Sequence, residues 1–360
     1  MKRKFATTYA VFCTLLLVAG FLLAFYFAWE RNITAVIFCL IGLCSGFILS
    51  PIIHELGHIT FAKANGMRVV YAKFFCFKFA EKDGKLRFLL ASPFTPDCTQ
   101  VLPLYGGNMQ KRASRYTLGG LIFSGIFFII TLAVALVCSA LDRTSFFAYG
   151  VLPYAGYLFL LNALPVEYAS GKTDALVYKG IKNGYDAEKT TLSAMEIQGG
   201  LSSGNSFAEM DERLYYDLPV LCEDEPLFAV MLDLRYRYHL EKGEMQKAKK
   251  ALDYLASLEA YLSQVEIEKI ATELVYMHAL NDNIEGAEAN ASLCKEFLQG
   301  DSATAKRVLA TFALAVGKKE EAKCIKAQGE RALDKERVAG VKKFESVLLA
   351  RIKTDENEKD

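Results

Sequence analysis

The chain has 360 residues, 52% hydrophobic and 23% charged, with a formal net charge of +1. That average hides a division: residues 1–174 carry 16 Lys/Arg and 8 Asp/Glu, whereas residues 175–360 carry 26 and 33. A disordered chain, a collagen-like chain and a single soluble globule are excluded.

In chain order, the first feature is a run of 25 uncharged residues from Phe5 to Trp29. Lys2, Arg3 and Lys4 precede it, as in a signal peptide. The run is too long for one, however, and ends in Tyr26, Phe27 and Trp29 without a small-residue cleavage site, so it reads as a retained helix. Ile33 to Ile53 gives 21 more uncharged residues, Thr117 to Leu141 gives 25, and Ser145 to Val166 gives 22. A hydrocarbon core about 30 Å thick needs roughly 20 apolar residues at helical rise, so each run is long enough to span. Residues 59–116 carry ten Lys/Arg against three Asp/Glu, whereas the other two connections hold only Glu30 with Arg31 and Asp142 with Arg143. The positive-inside rule therefore places the N-terminal tail, the long loop and the C-terminal half in the cytoplasm.

Within the long loop (about 66–110), Val69 to Ala80 is rich in β-branched and aromatic residues. Asp83-Gly84 follows, then Lys85 to Leu90, which predicts a β-hairpin. Pro93 to Gly107, with three prolines and a Gly-Gly pair, reads as irregular backbone near the membrane surface. The nine cysteines show no CxxC pair and read as reduced or buried thiols.

The second apolar run leads into His54-Glu55-Leu56-Gly57-His58, which holds two of the four histidines in the chain. Residues four apart on a helix lie about 40° apart around it and one turn along, so both imidazoles can meet one ion. Glu55 stands beside them as a general base for an attacking water. Two histidines and a glutamate at membrane depth are costly unless they serve a site. Pro51 has two readings: a kink that turns this segment towards a cavity, or an ordinary membrane-helix proline. A third ligand is needed. His239 and His278 lie inside helical patterns of the charged half, and the better candidate region follows the fourth run, where Leu161-Asn162-Ala163-Leu164-Pro165 precedes Asp174.

HELGH ending one membrane helix, followed two spans later by Asn-x-x-Pro and an Asp, resembles the site-2 protease family of intramembrane zinc metalloproteases. The resemblance covers about residues 33–182 and implies His54, His58 and Asp174 as ligands of one Zn2+, with Glu55 as catalyst. Asn162 and Pro165 match the family's motif asparagine and proline, in second-shell or substrate-positioning roles. The implied core is three helices, here about 33–58, 117–141 and 145–166, with the hairpin presenting substrate as an added strand. The chain departs from the family at Ala175, where Gly is usual after the aspartate. In the middle core helix it has Leu121 and Ser124 for Pro and Asn. Asp174 also reads as a helix N-cap, since an amphipathic run begins at Ala175. Gly119-Gly120 reads as a site of tight helix packing.

After two short helices in 175–198, Gly199 to Asn205 reads as a linker. Beyond it the pattern is helical. Three segments share a form, Gly243 with Ala248, Asp282 with Ala287 and Gly317 with Ala322. Their spacings of 39 and 35 residues lie near the tetratricopeptide period, without its signature Trp and Pro. The expected organisation is a tail and first helix (1–32), a metalloprotease core (33–182), a helix and Gly/Ser linker (183–206), a tetratricopeptide-like domain (207–352) and a charged tail (353–360). The fold class is thus an α-helical polytopic membrane protein with four transmembrane helices and a cytoplasmic β-hairpin loop, followed by an all-α, helical-repeat-like soluble domain.

The expected function is that of a bacterial-type, integral plasma-membrane zinc endopeptidase acting on a transmembrane protein or peptide. The alternatives are processing of signal-peptide remnants or peptide pheromones, and a non-catalytic scaffold recruiting a cytoplasmic partner. The expected partners are the bilayer, the substrate and a cytoplasmic protein or peptide for the C-terminal domain. No basic-aromatic surface suggests nucleic acid.

Overall fold

The computed structural model describes residues 2–82, 85–92, 95, 97–104, 106–141, 145–169 and 171–354. The chain forms two compact units, one of Met1–Pro103 with Gly107–Glu188 and one of Leu104–Gly106 with Lys189–Asp360.

The first unit is built on four helices long and apolar enough to cross a membrane. They are α1 (Lys2–Arg31), α2 (Ile33–Ala64), α3 (Met109–Ala140) and α4 (Phe146–Ala163). Large apolar side chains on their outer faces stay uncovered, among them Leu15, Leu22, Ile129 and Leu136. In water such a surface would be a severe liability, and in lipid it is the ordinary exterior. α2 is central and packs on both α3 and α4. Small residues bring the backbones together. A Cβ added at Gly150 of α4 would lie 2.1 Å from the Cys39 carbonyl oxygen, and one at Gly42 of α2 would lie 2.2 Å from that of Phe147. Gly150→Ala should therefore force the two helices apart at a cost of about 1–3 kcal/mol. Thermal unfolding of the purified protein in detergent, measured beside wild type, checks this.

The loop between α2 and α3 is richer than one hairpin. It holds a four-stranded antiparallel sheet of order β3-β2-β1-β4, with β1 Met67–Phe74, β2 Phe77–Lys82, β3 Lys85–Leu90 and β4 Cys98–Pro103. The β2–β3 pair is the expected hairpin, in register from Phe77↔Leu90 to Lys82↔Lys85. The Asp83-Gly84 turn itself lies outside the described residues. Two expectations are corrected. The run Val69–Ala80 is not one strand, because the chain reverses at Phe75, which takes a left-handed φ of 53°. The Phe75 amide and the buried Lys73 ammonium both donate to Asp97 Oδ1, at 2.9 and 2.8 Å, so a distant carboxylate stabilises a turn that no local residue announces. Residues 98–103, expected to be irregular, form β4 and pair along β1. Of the same stretch, Pro93, Phe94, Pro96 and Tyr105 lie outside the described residues.

After α4 the chain makes a small hairpin of β5 (Glu167–Tyr168) and β6 (Gly171–Lys172), then α5 (Asp174–Asn183) and α6 (Asp186–Ser202). The expected Gly/Ser linker is not one. Gly199 to Ser202 complete the last turn of α6, with Gly199, Gly200 and Leu201 buried. The end of this helix is closely packed: a Cβ on Gly340 would meet the Leu201 Cα at 2.7 Å. The second unit accordingly begins at Lys189, well before residue 207.

Every secondary-structure element among the described residues of that unit is a helix, including a short α7 (Arg213–Tyr216) and α12 (Lys295–Leu298). Three helical hairpins stand where the sequence pattern placed them: α8 (Pro226–Lys242) with α9 (Met245–Ser257), α10 (Gln264–Leu280) with α11 (Ile284–Leu293), and α13 (Ala303–Ala315) with α14 (Lys319–Ala332). At each bend Gly243, Asp282 or Gly317 takes positive φ, the conformation that ends a helix and reverses it. Ala248, Ala287 and Ala322 are each fully buried, small enough to let the second helix lie against the first. The last helix is α15 (Ala339–Ala350). Arg307 of α13 is buried between Glu273 of α10 and Glu345 of α15, 2.8 Å from each, and so locks those three helices in register. Residues 355–360 of the expected solvated tail lie outside the described residues.

Candidate metal centre

α2 carries His54, Glu55 and His58 on consecutive turns, and all three are buried. The helical offset brings the two Nε2 atoms to 3.3 Å of each other. Asp174 comes from the opposite side. It is the first residue of α5, and the cap of that helix is Thr173, whose Oγ accepts from the Leu176 amide. The N-cap reading of Asp174 is thus corrected: the preceding threonine caps, which leaves the carboxylate free to face the imidazoles. Asp174 Oδ2 lies 3.1 Å from His54 Nε2 and 3.4 Å from His58 Nε2.

The outer nitrogens explain how the rings are held. His58 Nδ1 lies 3.0 Å from the Tyr116 carbonyl. A carbonyl only accepts, so this Nδ1 carries the hydrogen and a neutral ring presents its lone pair at Nε2. His54 Nδ1 is 2.9 Å from the Ser124 hydroxyl, one turn along α3 from Gly120. Ser124, a departure from the resembled family, therefore contacts the site directly. Gly120 is there for space: a Cβ would sit 2.3 Å from His58 Nε2 and 2.8 Å from His54 Cε1. Its neighbour Gly119 does the packing work, against the backbone of Gly57. The sequence reading gave both glycines the packing role, because nothing in a Gly-Gly pair tells which one faces the histidines.

Three electron-rich atoms thus converge in a buried place, and Asp174 Oδ2 accepts no well-directed hydrogen bond. Such a cluster calls for a cation. Ligand bonds of about 2.0–2.1 Å around a tetrahedral ion put neighbouring donors about 3.3–3.4 Å apart. The observed separations of 3.3, 3.1 and 3.4 Å match that requirement. Two imidazoles and one carboxylate are also a fitting donor set for zinc with one position left open.

The group opens on a cavity of about 480 Å³. Pro51, Glu55, Thr99, Tyr116 and Asn162 stand in its wall with the three donors. Pro51 thus borders the site, within the continuous helix α2. The Asn162 amide donates to the Leu158 carbonyl of its own helix at 3.2 Å and faces the same space. Pro165 does not line it and follows the end of α4. The other histidines belong to the second unit: His239 is buried and bonded to Glu244, and His278 contacts Asn283. Thr99 and Tyr116 escaped the sequence reading, since neither lies in a motif and both reach the site only through the sheet and α3.

Fold and site together define a protein with four helices able to span a membrane and a buried His-His-Asp group able to hold a metal ion. Comparison with family models, with curated proteins and with solved structures returns no match to this chain.

Proposed function

We propose that this chain is a membrane-embedded zinc endopeptidase of the site-2 protease type, hydrolysing a peptide bond in or near a transmembrane segment of its substrate. The observation that carries the reading is the spacing of His54, His58 and Asp174, which suits a tetrahedral ion, with the carboxylate of Glu55 in the same cavity. Zinc in such a site supplies Lewis acidity, polarising a carbonyl and lowering the pKa of water towards about 7. The remaining steps belong to the chain. Glu55 takes a proton from the attacking water at its carboxylate and passes it to the departing amide nitrogen. His54, Glu55 and His58 are buried, which limits bulk water beside the base, and the substrate segment enters through the cavity. A substrate helix must unwind to enter, because a regular helix hides its carbonyls in its own hydrogen bonds. An edge strand of the sheet then offers an added-strand partner to the unwound segment.

By the positive-inside rule the N-terminus, the sheet and the helical unit lie in the cytoplasm, and the helical unit recruits a protein or peptide partner there. Elemental analysis of the purified full chain tests the reading, with one zinc per chain expected. A chelator should remove the zinc and stop cleavage of a single-pass reporter, and added zinc should restore both. A wild-type chain that takes up no metal under any loading condition would overturn it.

A further inference from the structure

The catalytic glutamate of the proposed site is held by a residue of the sheet. Thr99 of β4 is buried, and its Oγ donates to Glu55 Oε2 at 2.5 Å. The Thr99 carbonyl accepts from the Tyr116 hydroxyl at 2.5 Å, and the Tyr116 carbonyl faces His58 Nδ1 at 3.0 Å. Three separate hydrogen bonds thus link Glu55, the edge strand, α3 and one candidate metal ligand residue to residue.

We propose that Thr99 is a positioning residue for Glu55, fixing the base from the edge strand of the sheet. The inference rests on the hydrolytic reading above. A glutamate side chain has three torsions, and a base works only within hydrogen-bond reach of the proton it takes. One hydroxyl bond to Oε2 restrains those torsions and leaves the second carboxylate oxygen for the reaction. The backbone of Thr99 needs no help from its hydroxyl to stay in place. It pairs with Ala72 in the β1–β4 ladder, and the approach to β4 is pinned by Lys73 on Asp97 and on the Thr95 carbonyl. Removing the hydroxyl alone therefore releases Glu55 while the strand remains.

The test uses the full chain in detergent, loaded with Co(II), whose visible absorption reports the metal's surroundings. Acetohydroxamate is the probe: it chelates the ion, and its acidic proton must be taken up by a base alongside, so its affinity reads whether Glu55 is in position. Thr99→Val should bind cobalt with wild-type stoichiometry yet bind acetohydroxamate about 10-fold more weakly, the lower end of what losing an outer partner costs. Thr99→Ser, which keeps the hydroxyl, should stay near wild type. In a Glu55→Gln background, Thr99→Val should add nothing, since its effect passes through Glu55. Wild-type affinity in Thr99→Val, or an undiminished effect in the Glu55→Gln background, overturns the proposal while leaving the metal reading intact. Loss of cobalt from Thr99→Val also overturns it, because the hydroxyl would then be supporting the ligands rather than the base. Failure of the wild-type chain to bind either zinc or cobalt overturns the hydrolytic reading, and this inference falls with it.

Discussion

Glu55→Gln is expected to leave metal occupancy at the wild-type level and to remove turnover. The amide has nearly the shape of the carboxylate and is not one of the three converging donors, so the ligand cluster has no reason to open. It cannot take up a proton at neutral pH. General-base catalysis contributes about 10²–10⁴-fold, so cleavage should fall by at least about 100-fold. The Thr99 hydroxyl, which now donates to Oε2, can donate equally to the amide oxygen, so folding should be preserved. Two measurements are needed together: zinc per chain, and the membrane proteome of cells carrying wild type or the variant. Single-pass proteins that accumulate intact only with the variant are the substrates. Cleavage at the wild-type rate with zinc bound would remove Glu55 from the mechanism.

Asp174 carries the second large effect. Asp174→Ala deletes the only anionic donor of the cluster and leaves two imidazoles facing a void. Loss of an outer-shell partner costs about 10–100-fold in metal affinity or activity, so loss of a donor itself should exceed about 100-fold in affinity. Asp174→Asn should fall between, since the amide oxygen can still ligate but carries no charge. Neither change should unwind α5, because the cap belongs to Thr173 and not to Asp174. Zinc titration against a competing chelator gives the affinity, and far-UV circular dichroism checks the helix. Full metal retention by Asp174→Ala would mean that another group holds the third position.

These expectations rest on unequal foundations. The four long helices were legible in the sequence because a span announces itself by unbroken apolar length, a local property that needs no tertiary partner. The His54/His58 pair was legible for a related reason, since the i, i+4 offset alone sets two side chains on one helical face. The three hairpins of the second unit were legible too. A Gly or Asp that must take positive φ and an Ala that must be small are demands of local geometry.

Elsewhere packing decided. Phe75 turns the chain because Asp97 bonds its amide, and Gly199-Gly200 stay helical because α6 is clasped by its own unit. Local chemistry predicted the opposite in both places, reading one long strand and a flexible linker. Asp174 had two local readings, ligand or cap, and the choice depended on whether Thr173 would take the cap. Ser124, Gly120, Tyr116 and Thr99 belong to the site only because α3 and β4 are pressed against α2. Their separations along the chain from His54 and His58 carry no period and no motif. Sequence by itself therefore determined which segments are long and apolar enough to cross a membrane and where two imidazoles share a helical face. Tertiary structure alone decided which carboxylate meets them and which hydroxyls hold the His54 ring and the Glu55 carboxylate, because hydrogen bonds of about 3 Å between remote segments exist only once the helices have packed.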